Sequence, residues 1–146
     1  MNNSVSHEKK PSACHCLNVR RAAHSITDYY NSILFPCNIN LNQFSLLKNV
    51  RKMEPVNVSD LSVAMRLDRT TMVRNIKIME EKGYVADVSP NSARSRQLQL
   101  TDKGNSVLNE SMILWNKAQD NILEYLGEEN INILTDLLSK IENMKQ

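Results

Sequence analysis

Cys14-His15-Cys16 places two thiols and an imidazole within three residues, and Cys37 supplies a third thiol. A thiolate is a nucleophile, an oxidation site and a soft metal ligand, and a helix N-terminus or a nearby cation favours it over the thiol. The opening thirteen residues are polar and lack the apolar block of an export signal. Three cysteines are an odd number in such a chain, which points to reduced thiols in a cytoplasmic protein and away from a disulfide framework. Metal is the poorer use of the cluster, because adjacent residues at one helix end rarely converge on a tetrahedral ion and no C-x-x-C pair occurs. No metal or cofactor is expected. Small thiols filling an apolar interface are the plain alternative to any chemistry.

The second set of reactive groups is cationic. Residues 66–104 carry eight Lys/Arg against five Asp/Glu, and residues 105–146 carry three against seven, so the net charge of +2 hides a basic middle and an acidic end. A polyanion such as duplex DNA would be drawn to one end of the molecule. An enzyme is not indicated: there is no glycine-rich phosphate loop, paired acidic cluster or nucleophile elbow, and the chain has three glycines. No run of eighteen apolar residues exists to span a membrane.

Hydrophobic spacing supplies the elements that must hold these groups. Val19, Ala22, Ala23, Ile26, Tyr29, Tyr30 and Ile33 recur at helical steps and predict a helix over 17–34, ended by Pro36. A second helix spans 42–52 with Phe44, Leu47 and Val50 inward. Ser59 reads as the start of a short helix bearing Leu61, Ala64 and Met65, and Asp68 caps the next, which Gly83 stops in a left-handed turn. Tyr84–Val88 and Gln97–Leu100 suit a two-stranded ribbon, with a Pro/Asn/Ser loop between them. Thr101-Asp102 opens a long helix through Trp115 and Leu126, followed by a last one with Ile131, Leu134, Leu137, Leu138, Ile141 and Met144.

The expected fold is mainly α with a small β-ribbon, a winged helix-turn-helix flanked by N- and C-terminal dimerisation helices. Residues 1–12 form a flexible tail, 13–36 and 105–146 the helical dimerisation region, and 37–104 the DNA-binding region. About 65 residues of winged segment cannot cover the apolar faces of the terminal helices, so a two-fold homodimer is expected.

At 100° per residue the helix after Asp68 turns Met72, Ile76 and Met79 inward and Thr70, Thr71, Arg74, Lys77, Ile78 and Glu81 outward. In a major groove, Arg74 or Lys77 can bond guanine N7 and O6, the threonines a base edge or phosphate, and Ile78 a thymine methyl. Asn75 lies on the flank, within reach of adenine or a phosphate, and Arg69 sits nearer the inner side, where it meets backbone or the neighbouring helix. A solvated face carrying charge for solubility would look the same by periodicity alone. Arg94 and Arg96, on the ribbon loop beside that helix, suit a narrow minor groove.

From Cys14 to the C-terminus the chain resembles the MarR family of transcriptional regulators. The resemblance rests on Val58-Ser59-x-Leu61, Asp68-Arg69-Thr70-Thr71-Met72-Val73-Arg74-Asn75, Glu80-x-x-Gly83-Tyr84-Val85, and Arg94-Ser95-Arg96 leading to Leu100-Thr101-Asp102-Lys103-Gly104. It implies a homodimer on a pseudo-palindromic operator, usually a repressor, released by a small molecule, oxidant or metal. Family wings commonly brace the minor-groove arginine with an acid two residues earlier. Here that position is Ser92, followed by Ala93.

The resemblance also sets Cys16 where the organic-hydroperoxide sensors of the OhrR branch carry their reactive cysteine, with Tyr30 matching one of its tyrosines; Arg20 and Leu41 stand where the other two would be. Cys37 is a candidate resolving thiol for Cys14 or Cys16. An aromatic effector would instead be lined by His24, Tyr29, Tyr30 and Phe44. The rival class is a winged helix that binds protein and not sequence-specific DNA, distinguished by the absence of steep salt dependence on duplex.

Overall fold

The computed structural model describes residues 8–91 and 94–145. Helix α1 runs His15–Leu34 and passes through a single 3-10 turn at Phe35–Cys37 into Asn38, whose left-handed φ of 56° reverses the chain. Helix α2, Leu41–Met53, starts at a capping box in which the Asn40 side chain accepts from Gln43 N while the Gln43 side chain accepts from Asn40 N. Helices α3, Val58–Met65, and α4, Arg69–Glu81, are joined through Arg66 at φ 53°, then Leu67 and Asp68.

The start of α3 differs from the sequence expectation. Asn57, not Ser59, caps it, its Oδ1 accepting from Asp60 N at 2.8 Å. The helix thus begins earlier, turning Val58, Leu61 and Ser62 inward and leaving Ala64 exposed.

Strands β1, Val85–Asp87, and β2, Leu98–Leu100, pair antiparallel with Val85 opposite Leu100 and Asp87 opposite Leu98. Val56 adds a further antiparallel bridge to Leu98. Helix α5, Asp102–Leu126, and helix α6, Glu128–Glu142, follow, turning at Gly127 with φ 83°.

One apolar core gathers Phe44, Leu46, Leu47 and Val50 of α2, Leu61 of α3, Met72, Ile76 and Met79 of α4, Leu98 of the ribbon and Leu108 of α5. The inward stripes expected for α2 and α4 are therefore the ones that pack. The terminal helices behave otherwise. α1 buries only Tyr30 and Leu34, leaving Val19 and Ile26 exposed, and α6 buries no residue at all.

Of the stretch expected to be a flexible tail, residues 1–7 lie outside the described residues, as do the wing residues Ser92 and Ala93. Ser12, the last of that stretch, is tied to Asn18 of α1 by two hydrogen bonds.

Candidate nucleic-acid interface

Helix α4 is set at its start by Asp68, whose carboxylate accepts from Thr71 N at 2.8 Å and from Thr71 Oγ1 at 2.7 Å. The Thr71 side-chain bond, then its backbone bond, holds the Asp68 carboxyl below the usual carboxylate range. A depressed pKa means that the cap stabilises the fold above that range and is lost only as pH falls through the lowered value. At its other end α4 is fastened by Lys82 Nζ donating to Asn38 O at 2.7 Å.

Held at both ends, α4 hides Met72, Ile76 and Met79 and exposes Thr70, Arg74, Lys77, Ile78 and Glu81. Thr71 is half-buried with its hydroxyl proton committed to Asp68, which leaves only acceptor capacity for a ligand. Asn75 is half-buried on the flank, lining a small recess with Asn40 and Gln43 of α2. Arg69 reaches back to α3, Nη1 donating to Ser59 Oγ at 3.0 Å. Exposed and adjacent on one face, Arg74 and Lys77 are the groups free to meet a polyanion.

The ribbon lies beside that face, and its two arginines differ. Arg94 is exposed. Arg96 donates from Nη2 to Glu80 Oε1 on α4 and from Nε to Asp87 Oδ2 on β1 at 3.2 Å. Asp87 also accepts from Ser89 N at 2.9 Å and Gln97 N at 3.2 Å; the Ser89 bonds lower its pKa most, so it stays an anion for Arg96. Arg96, a candidate DNA contact, thus spends two of its donors on protein carboxylates while its side chain stays partly exposed. It staples the ribbon to the end of α4 because two acids compete for it at short range. The sequence signal was the acid pair Glu80 and Asp87, visible only once β1 is folded against α4.

Arg96→Gln removes this staple. Since the pair is partly exposed, the ribbon should lose about 1 kcal/mol or less. Amide exchange should therefore quicken in β1 and β2 while α4 keeps its protection.

The base of the ribbon is locked to α5. Thr101 caps α5 through Gly104 N at 3.0 Å while donating from Oγ1 to Gly83 O at 2.6 Å, and Thr101 N donates to Tyr84 O at 3.0 Å. Lys103 Nζ reaches Lys82 O at 3.1 Å and lies over the Tyr84 ring. The end of α4, the start of β1 and the start of α5 thus form one rigid junction.

Residues 39–94 match the family model described as MarR family. The HTH-type transcriptional regulator BilQ of Clostridioides difficile is 24% identical over 122 residues, covering 78% of this chain and 82% of its own length. The solved structure of the transcriptional regulator MosR of M. tuberculosis in complex with DNA superposes with a TM-score of 0.73 at 27% identity, covering 88% of this chain and 96% of MosR. Over residues 39–94 the chain is similar to the MarR family.

The transcriptional repressor CouR, solved on a 23-mer DNA duplex, shares the fold at a TM-score of 0.81 and 22% identity, covering 93% of this chain and all of CouR. A second CouR structure, bound to p-coumaroyl-CoA, aligns at the same TM-score with 21% identity, covering 90% and 94%. BilQ, MosR and CouR, the proteins it resembles, are transcriptional regulators.

The thiols stand at the two ends of α1, Cys14 and Cys16 at its start and Cys37 in the 3-10 turn beyond its end. Cys14, at the N-cap, and Cys16 are exposed, and Cys37 is half-buried against the core. Eighteen helical residues from Cys16 to Leu34 amount to about 27 Å, far beyond the roughly 7 Å between Cα atoms that a disulfide allows. Cys37 therefore cannot resolve Cys16 within one chain. Tyr30 is about 21 Å along the same helix from Cys16, and its hydroxyl donates to Gln119 Oε1 on α5. Burial, then the neighbouring Tyr29, pushes the Tyr30 phenol above its ordinary pKa. Any meeting of Cys16 with Tyr30 or Cys37 needs a second copy of the chain.

Of the residues expected to line an aromatic effector cleft, Tyr29 and Tyr30 meet edge-to-face with ring centroids 6.1 Å apart. Phe44 is buried and stacks on Trp115 at 5.7 Å, Tyr29 accepts from Asn121 Nδ2 at 2.8 Å, and His24 is exposed and paired with Asp28 at 3.2 Å. Among the described residues, no three His, Cys, Asp or Glu side chains group as metal ligands.

Proposed function

We propose that this chain acts as a homodimeric DNA-binding repressor on a pseudo-palindromic operator. The observation that carries the reading is the exposed Arg74–Lys77 face of α4 opposite its fully buried Met72, Ile76 and Met79 stripe. Thr70, Thr71, Arg74, Asn75 and Lys77 meet the major groove, Arg69 the phosphate backbone from its place beside α3, and Arg94 the minor groove, with Arg96 fixing the wing. MosR and CouR, solved on DNA, support the assignment by likeness.

Residues 13–36 and 105–146 form the dimer in this reading. Its support is α6, where Ile133, Leu134, Leu137, Leu138 and Ile141 stand 40–50% exposed in the single chain. That stripe has the spacing of a helix face built to be covered. An effector bound between the dimer helices and the reading head, or oxidation of Cys16 against a thiol of the second copy, would release DNA by favouring a conformer with the wrong half-site spacing.

Selection of bound sequences from random duplex DNA tests the reading. It should return an inverted repeat with half-sites about one helical turn apart, and affinity should fall steeply between low and moderate salt. Arg74→Ala should relax preference at one position of each half-site by about 1–3 kcal/mol. Retention of an unordered pool, or of the parental preference in the variant, refutes it.

A further inference from the structure

The chain ahead of α1 does not run away from the helix but doubles back along it. Ser12 N donates to Asn18 Oδ1 and Asn18 Nδ2 donates to Ser12 O, both at 2.8 Å, while Ser12 Oγ accepts from Cys14 N at 3.1 Å. This reciprocal clasp lays Lys9, Lys10 and Pro11 beside α1. Asn18, Arg21, Ala22 and Ser25 form one stripe of the helix at three- and four-residue steps, and with the returning segment they enclose an open cleft of about 770 Å³. The small Ala22 and Ser25 and the cationic Lys9, Lys10 and Arg21 all line it.

Its charge is one-sided. Among the described residues, Lys9, Lys10 and Arg21 make no salt bridge and no acid lines the cleft; Glu8 adjoins Lys9 in sequence, and Asp28 is paired with His24 at 3.2 Å. Three cations brought together without partners repel one another, and a multivalent oxyanion relieves that repulsion. Arg21 offers a planar fork for two phosphate oxygens and the lysines offer point charges for the rest. Asn18, His24 and Ser25 add polar groups to the lining, beside the apolar Pro11 and Ala22.

We propose that this cleft binds a small phosphorylated anion, a free metabolite carrying one or two phosphates. Its occupation would be an effector event on α1, outside the α4 face; only that consequence rests on the regulatory function proposed above, and binding itself does not. The same phosphate chemistry is available from the backbone of long DNA, and the test separates the two sources.

Pyrophosphate titrated calorimetrically into the full-length protein without DNA is the probe. It should bind with 1:1 stoichiometry per chain, and Lys9→Gln/Lys10→Gln and Arg21→Gln should each weaken it about tenfold or more. Asn18→Ala, which keeps every charge but opens the clasp, should weaken it comparably; a mere excess of surface charge would leave that variant unaffected. No binding, or binding indifferent to all three variants, overturns the proposal. So does Arg21→Gln reducing affinity for a long duplex but not a short one while pyrophosphate binding is unchanged, because that assigns the cleft to DNA. Operator binding lost with pyrophosphate binding intact would refute the DNA reading and leave the anion site standing.

Discussion

Leu134→Asp/Leu138→Asp should convert the protein to a monomer of about 17 kDa in sedimentation and lower its affinity for a two-half-site operator by roughly 10² to 10⁴, the avidity that linking two heads provides. Both residues are already exposed in the single chain, so the substitutions cost the core little. Facing a second copy they place unpaired carboxylates in an apolar seam, which is strongly unfavourable. The readout thus separates assembly from folding: circular dichroism should keep the helical spectrum while the sedimentation coefficient falls. A variant that remains dimeric would mean that α6 is covered by something other than its counterpart, and the proposed arrangement of half-sites would go with it.

Gly104→Ala should be the most damaging single methyl in the chain. A Cβ at Gly104 would lie 2.9 Å from the Tyr84 carbonyl carbon and closer still to its oxygen, against backbone and not a side chain that can swing away. That carbonyl also accepts from Thr101 N, so moving it breaks the bond that joins the ribbon to α5. Overpacking of this kind costs about 1–3 kcal/mol where neighbours can yield, and rigid backbone places Gly104 at the upper end. The unfolding midpoint should drop by several degrees, with α5 protection lost at its first turn. An unchanged midpoint would show that the junction is compliant.

How far these features can be read without coordinates depends on whether the cause is local. The stripe Met72, Ile76 and Met79 follows from helical periodicity, and Asp68 caps α4 because its oxygen reaches Thr71 N within the same turn, so both were legible. Asn57 and Ser59 are both residue types that can cap, and the bridge from Val56 to Leu98, which fixes the chain next to Asn57, is a contact 42 positions away in sequence. Arg96 shows the same limit at the candidate site. Its type and its place on a loop suggest DNA, while its partners Glu80 and Asp87 are separated from it in sequence and meet only in the folded wing. The distance between Cys16 and Cys37 was equally hidden, since two thiols at opposite ends of a helix look no farther apart in a string than two that touch. Exposure of the α6 stripe could be anticipated from an excess of apolar surface, though which residues remain bare needed the fold.

The Phe44–Trp115 stack has an optical meaning as well as a structural one. Trp115 is the sole tryptophan, and it sits where α5 meets α2, with the Lys48 ammonium 4.3 Å above its ring. Indole emission is sensitive to a neighbouring charge, and this charge belongs to α2, which shares the core with α4, while the fluorophore belongs to α5, the helix that leads towards the proposed dimer. A shift of one against the other changes the field on the ring, so the unlabelled protein reports in its own fluorescence the motion by which a bound effector would reset the two heads.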